Sequence, residues 1–130
     1  MKETTIYKKN TAETAHFLPP NQWVEAVIEK KQDEVWFLLA ASDYAAHRDG
    51  DLGKYVIQGK GSCSLTGSLH EEDCLLPVYS GYRTFEDGSF MIEANLECGD
   101  FYYIRVASRQ GECGQFCIRA TAIPQPPEEN

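Results

Sequence analysis

Along this chain, apolar residues recur mostly at every second position, in short runs separated by clusters of Gly, Pro, Asp and Ser. A period of two marks a strand with one buried face, because successive side chains of an extended backbone point to opposite sides. Eight such runs are present: Trp23 to Glu29, Glu34 to Ala41, Lys54 to Gly59, Ser62 to Leu69, Cys74 to Ser80, Ser89 to Leu96, Phe101 to Ala107 and Gln115 to Ile123. They do not alternate with helical patterns. The expected fold is therefore all-β, an antiparallel jelly-roll-like β-sandwich of about eight strands.

Two runs define their faces. In Phe101 to Ala107, Tyr102, Ile104 and Val106 fall on one side and Tyr103 and Arg105 on the other. In Gln115 to Ile123, Phe116, Ile118 and Ala120 oppose Cys117, Arg119 and Thr121. The link Ser108 to Gly114 contains glycines and reads as a hairpin loop, which would set Tyr103, Arg105 and Arg119 on one exposed face. Helical signals are short. Thr11 to Leu18 could form a turn or two before Pro19 and Pro20 stop it, and Ser42 to His47 is a second such stretch with Ser42 or Asp43 as cap. The chain divides into a flexible segment 1–9, a sandwich domain 10–123 and a Pro/Glu-rich tail 124–130.

Length and composition suit one domain with one core: 130 residues, 42% of them hydrophobic. The net charge of −8 argues against nucleic acid and against an anionic membrane surface, since both are held by Lys and Arg. The charge is also uneven. Between His70 and Asp100 stand eight acids, Glu71, Glu72, Asp73, Glu86, Asp87, Glu93, Glu97 and Asp100, against the single base Arg83. Such a segment could hold calcium or dock a basic partner, though its plainer reading is a set of solvated loops that keep strand edges apart. Met1 to Asn10 contains no apolar signal core, and no run of about 18 apolar residues occurs. As written the chain is expected to be cytoplasmic, or extracellular if it is a domain cut from a secreted protein.

Candidate chemistry is sparse. No G-x-S-x-G elbow, H-E-x-x-H helix or P-loop is present, and His16, His47 and His70 are scattered. The chain is read as a non-enzyme. Asp49-Gly50-Asp51-Leu52-Gly53 begins like a calcium loop, but Gly53 and Lys60 stand where ligands are required, so it reads as a turn. Cys98, Cys113 and Cys117 with His70 could make a zinc set, yet no C-x2-C pair exists. Five cysteines cannot all pair within one chain. Disulfides between two of Cys63, Cys74 and Cys98 and free thiols are both open. No cofactor is expected, with calcium the one ion the acids bring into view.

Seven tyrosines outnumber two tryptophans, and on a sheet face a tyrosine offers a flat apolar ring with a polar tip. Tyr103 with Arg105 and Arg119, and Tyr79 or Tyr82 beside Arg83, are the candidate ligand-binding residues. Glu71, Glu72, Asp73, Glu86 and Asp87 form the candidate acidic docking face. Trp36 and Phe37 fall inside an apolar run and are assigned to the core or its margin.

Four motifs in order resemble the bacterial pre-peptidase C-terminal domain, a β-sandwich related to the collagen-binding domains of clostridial collagenases. They are Asn10 with Thr14-Ala15 and Leu18; Gln32-Asp33-Glu34-Val35-Trp36-Phe37; Asp73-Cys74-Leu75-Leu76-Pro77-Val78-Tyr79-Ser80-Gly81; and Tyr102-Tyr103-Ile104-Arg105-Val106 followed by Gly114-Gln115-Phe116. The resemblance spans roughly Asn10 to Ala122. It implies a jelly roll appended to an exported bacterial enzyme and, in some relatives, calcium held by carboxylates near the amino-terminal segment. Here Val35 stands in place of the family's second Asp, Cys74 in place of Thr, and Pro77 inside a strand. The function implied is a non-catalytic module that recognises a protein or a glycan through an exposed Tyr/Arg sheet face. The alternative is a structural or regulatory protein that docks a basic partner through the acidic 70–100 segment.

Overall fold

The computed structural model describes residues 15–30, 33–41, 50–71 and 81–124. Nine strands run through them: β1 (His16–Phe17), β2 (Val24–Ile28), β3 (Glu34–Ala40), β4 (Leu52–Gly61), β5 (Leu65–Glu71), β6 (Gly81–Thr84), β7 (Phe90–Glu97), β8 (Phe101–Ser108) and β9 (Gly114–Ala122). They form two sheets, a four-stranded one in the order β1-β3-β8-β5 and a five-stranded one in the order β2-β9-β4-β7-β6. The all-β sandwich expected from the periodicity is what the chain adopts.

Alternation decides which side chains meet between the sheets. Val35, Phe37 and Leu39 from β3, Ile104 and Val106 from β8, Tyr55 and Ile57 from β4, and Ile118 and Ala120 from β9 are all fully buried. Removing a large apolar side chain from water is worth roughly 1.5–3 kcal/mol, so this shared interior drives the two sheets together. Phe37 and Phe116 meet across it edge to face, with ring centroids 6.2 Å apart. Phe90 needs more room than the sheet spacing leaves. A glycine from each sheet supplies it: a β-carbon on Gly59 would lie 2.3 Å from the Phe90 ring, and one on Gly67 2.5 Å from it.

Several expectations change. Ser108 to Gly114 is not a hairpin loop, because β8 lies in the four-stranded sheet and β9 in the five-stranded one. The link is an arch across the sandwich, locked onto the β4–β5 arch: Ser62 N donates to Gln115 O at 2.9 Å and Arg109 N donates to Ser64 O at 2.8 Å. Among the described strands, the only consecutive pair that shares a sheet as neighbours is β6 and β7. Their turn is closed by Phe85 N donating to Ser89 O at 3.0 Å, with Gly88 at a φ of 91°.

Of the stretch Thr11 to Leu18, the described residues, from Ala15 on, are extended rather than helical. His16 and Phe17 pair with Phe37 and Leu38 of β3, and this is a parallel pairing, so the sandwich is not wholly antiparallel. A residue before proline is pushed out of the helical region, and the fully buried Leu18 anchors the extended form. Strand β6 was not anticipated. All four of its residues are exposed, so it lacks the alternation that marks a strand. The predicted strand Cys74 to Ser80, the helical stretch Ser42 to His47, segment 1–9 and most of the tail lie outside the described residues.

Candidate functional site

Alternation that buries one set of side chains presents the other. On the outer face of the four-stranded sheet, register places Trp36 opposite Arg105 and Leu38 opposite Tyr103. On the other side of β8, Ser68 stands opposite Arg105 and His70 opposite Tyr103. Three strands thus assemble a half-exposed patch of Glu34, Trp36, Ser68, His70, Tyr103 and Arg105.

Polar contacts tie the patch together. Arg105 Nε donates to Glu34 Oε2 at 2.8 Å, and the Trp36 indole N–H reaches Glu34 Oε1 at 3.4 Å. Arg105 Nη1 lies 3.5 Å from Ser68 Oγ, which is 2.8 Å from His70 Nε2. Arginine has only donors, so the hydroxyl accepts from it and keeps both its proton and a second lone pair for the contact with Nε2. The far nitrogen, Nδ1, is buried and has no hydrogen-bond partner. Burial, and then the Arg105 charge, pull the His70 pKa below its ordinary value, with Glu34 pushing the other way. The Trp36 ring lies 5.2 Å from the His70 ring and 6.4 Å from the Tyr103 ring, which it meets edge to face. The result is a cluster of mutually inclined aromatic rings beside a guanidinium–carboxylate pair.

Among the described residues nothing completes the Ser68–His70 contact into a catalytic triad. A triad needs a third group on the far imidazole nitrogen to orient it, and His70 Nδ1 has none. Nor do the described residues bring together any group of three or more His, Cys, Asp or Glu able to hold a metal ion. The arrangement gathers three aromatic rings and one strong ion pair on the outer face of the sheet.

Tyr103 and Arg105 lie where the sequence placed them. Arg119 does not join them, because β9 belongs to the other sheet and presents it on the opposite surface. There its guanidinium packs 4.6 Å from the centre of the Trp23 ring, and Lys60 Nζ lies 4.7 Å from that same centre. Tyr82 and Arg83 are also divided. Tyr82 stands opposite Ile92 and turns inward at the edge, its hydroxyl 2.9 Å from Thr66 Oγ1 and 3.4 Å from Gly67 N, so it laces one sheet to the other. Arg83 points outward beside Met91. Tyr79, Glu72 and Asp73 lie outside the described residues.

The remaining acids do not make one face. Glu71 ends β5 near Glu97 and Asp100, whose charges, after burial, hold the Tyr102 phenol above its ordinary pKa. Glu86 and Asp87 sit in the β6–β7 turn. The length of β7 separates the two groups, roughly 25 Å at the usual rise of a strand.

Sequence reasoning missed Trp36, Ser68 and His70 as surface partners. The signal was present. Trp36 has the opposite parity to Val35 and Phe37, and Ser68 and His70 the opposite parity to Leu69.

Comparison of the sequence with protein-family models and with curated proteins finds no match. Comparison of folds does find matches. The chain is similar to the pre-peptidase C-terminal domain of collagenase from Bacillus anthracis, with a TM-score of 0.63 and 14% identity over 82% of this chain and 94% of that one. It is also similar to PliG of Aeromonas hydrophila, a periplasmic lysozyme inhibitor of g-type lysozyme, with a TM-score of 0.55 and 14% identity over 84% and 97%. The sandwich is thus the fold of the pre-peptidase C-terminal domain that the four motifs resemble.

Proposed function

We propose that this chain is a non-catalytic binding module that holds a protein or a glycan on the outer face of its four-stranded sheet. The observation that carries the reading is the patch itself: Trp36 and Tyr103 side by side at half exposure, beside the Arg105–Glu34 pair. Aromatic rings and arginine contribute most of the binding energy where a surface is desolvated by a partner. The reading is supported by the two structural neighbours, one a domain of a collagenase and the other an inhibitor of lysozyme. The periplasmic setting of the inhibitor favours an exported location for this module, and the cytoplasmic expectation finds no support in either neighbour.

Replacing Tyr103 and Arg105 together by Ala tests the proposal. Retention on glycan and protein arrays should fall by at least about tenfold while the melting temperature stays close to that of the parent. Unchanged retention would remove this face from the assignment.

A further inference from the structure

We infer that Trp23, Lys60 and Arg119 form a second binding site, on the outer face of the five-stranded sheet, for an acidic segment of a protein partner. Register brings the three together. Arg119 pairs with Gln58 and the adjacent Lys60 row pairs with Cys117, while Trp23 immediately precedes Val24, the partner of Ile118. Both cationic groups rest on the one indole, 4.6 and 4.7 Å from its centre.

What this cluster lacks, among the described residues, is a direct ion pair. Arg119 Nη2 donates to the neutral Gln58 Oε1 at 3.2 Å, and its buried Nε has no partner. Among the described residues neither cation forms an ion pair, whereas Arg105 on the other sheet holds Glu34 at 2.8 Å. Two acids lie in the neighbourhood. Glu25 borders the same depression. Asp87 feels the Lys60 charge, but its carboxylate is taken by the Ser89 amide at 3.0 Å and the Ser89 hydroxyl at 2.6 Å.

Beside Lys60 lies a depression of about 440 Å³ lined by Glu25, Val27, Lys60, Gly61, Gln115 and Cys117, room for an extended segment. Its chemistry favours a peptide over a sugar. The cations already occupy the indole, which leaves it as a plate that fixes them rather than a surface for a pyranose ring. A guanidinium takes one carboxylate with two hydrogen bonds and an ammonium takes another as a point charge, which fits two neighbouring Asp or Glu side chains. The chain's net charge of −8 repels such a segment elsewhere, so this patch also orients it.

The test is titration of the full chain with a fluorescein-labelled oligoglutamate peptide at low ionic strength, with polygalacturonate as a competing polyanion. Oligoglutamate should bind and should weaken as salt is raised. The double variant Lys60→Gln, Arg119→Gln should lose at least about tenfold in affinity, and Tyr103→Ala should lose nothing. A Trp36→Phe background leaves Trp23 as the sole indole, and its fluorescence should change on binding. If the double variant does not fold, Lys60→Glu alone carries the same expectation. Absence of binding, equal binding by the Lys60/Arg119 variants, or capture of polygalacturonate in place of oligoglutamate would each overturn the inference. Failure of the Tyr103 face leaves this result untouched.

Discussion

The two outer faces of the sandwich use the same residue types to opposite ends. Each presents one tryptophan and a mid-strand arginine, Trp36 with Arg105 on one sheet and Trp23 with Arg119 on the other. On the four-stranded sheet the arginine is neutralised by Glu34 and leads on to Ser68 and His70, so its charge is spent inside the patch. On the five-stranded sheet the arginine shares its indole with a second cation and meets only a neutral amide. The lesson is that an arginine beside an aromatic ring does not define a ligand site. Whether its charge is already answered within the fold decides what remains for a partner: shape and stacking on the first face, charge on the second.

Both faces depend on the spacing of the sheets, and the largest effect comes from breaking that spacing. Gly67→Ala puts a β-carbon 2.5 Å from the Phe90 ring, closer than packed atoms approach. A loss of about 1–3 kcal/mol is expected, read as a lower urea midpoint, with partial recovery in a Gly67→Ala, Phe90→Leu double variant. Full stability in Gly67→Ala would mean that the ring has room to move aside.

A smaller effect separates the faces directly. The Arg105 and Glu34 side chains are 33% and 39% exposed, so Glu34→Gln should cost no more than about 0.5–1 kcal/mol. That cost should shrink at high salt, because an attraction is being screened. Arg119→Gln should change stability by less than about 0.5 kcal/mol, and its cost should grow at high salt, because the repulsion from Lys60 that it relieves is then already screened. Thermal melts of both variants at two salt concentrations give the comparison. The same salt response in both would erase the difference between the faces.

The smallest signal is the titration of His70. Its folded pKa is depressed by burial and then by Arg105, and Glu34 opposes them. The unfolded chain therefore binds the proton more readily. Stability is fully present above the ordinary histidine value near 6.5 and is lost as pH falls through the lower folded value. Followed by NMR, the His70 midpoint should lie below 6.5, fall further in Glu34→Gln and rise in Arg105→Gln. A midpoint that ignores both substitutions would show that the network does not reach the ring.

What the sequence by itself determined is the strand content and the parity of each strand. Tyr102, Ile104 and Val106 against Tyr103 and Arg105, and Phe116, Ile118 and Ala120 against Cys117 and Arg119, were all legible, because the side on which a residue falls is a local property of extended backbone. The exposed β6 was not, since a strand without an apolar face leaves no period to read. Which strands lie together was decided only by the tertiary structure. Sheet membership rests on hydrogen bonds between segments far apart in sequence, and a short glycine-containing link can close a hairpin or arch across a sandwich with equal ease. That one choice, fixed by the bonds between the two arches and by the fit of Phe90 between Gly59 and Gly67, sent Arg119 to the opposite surface from Arg105. It also drew Trp36 and His70, from strands with no local link, into contact across β8.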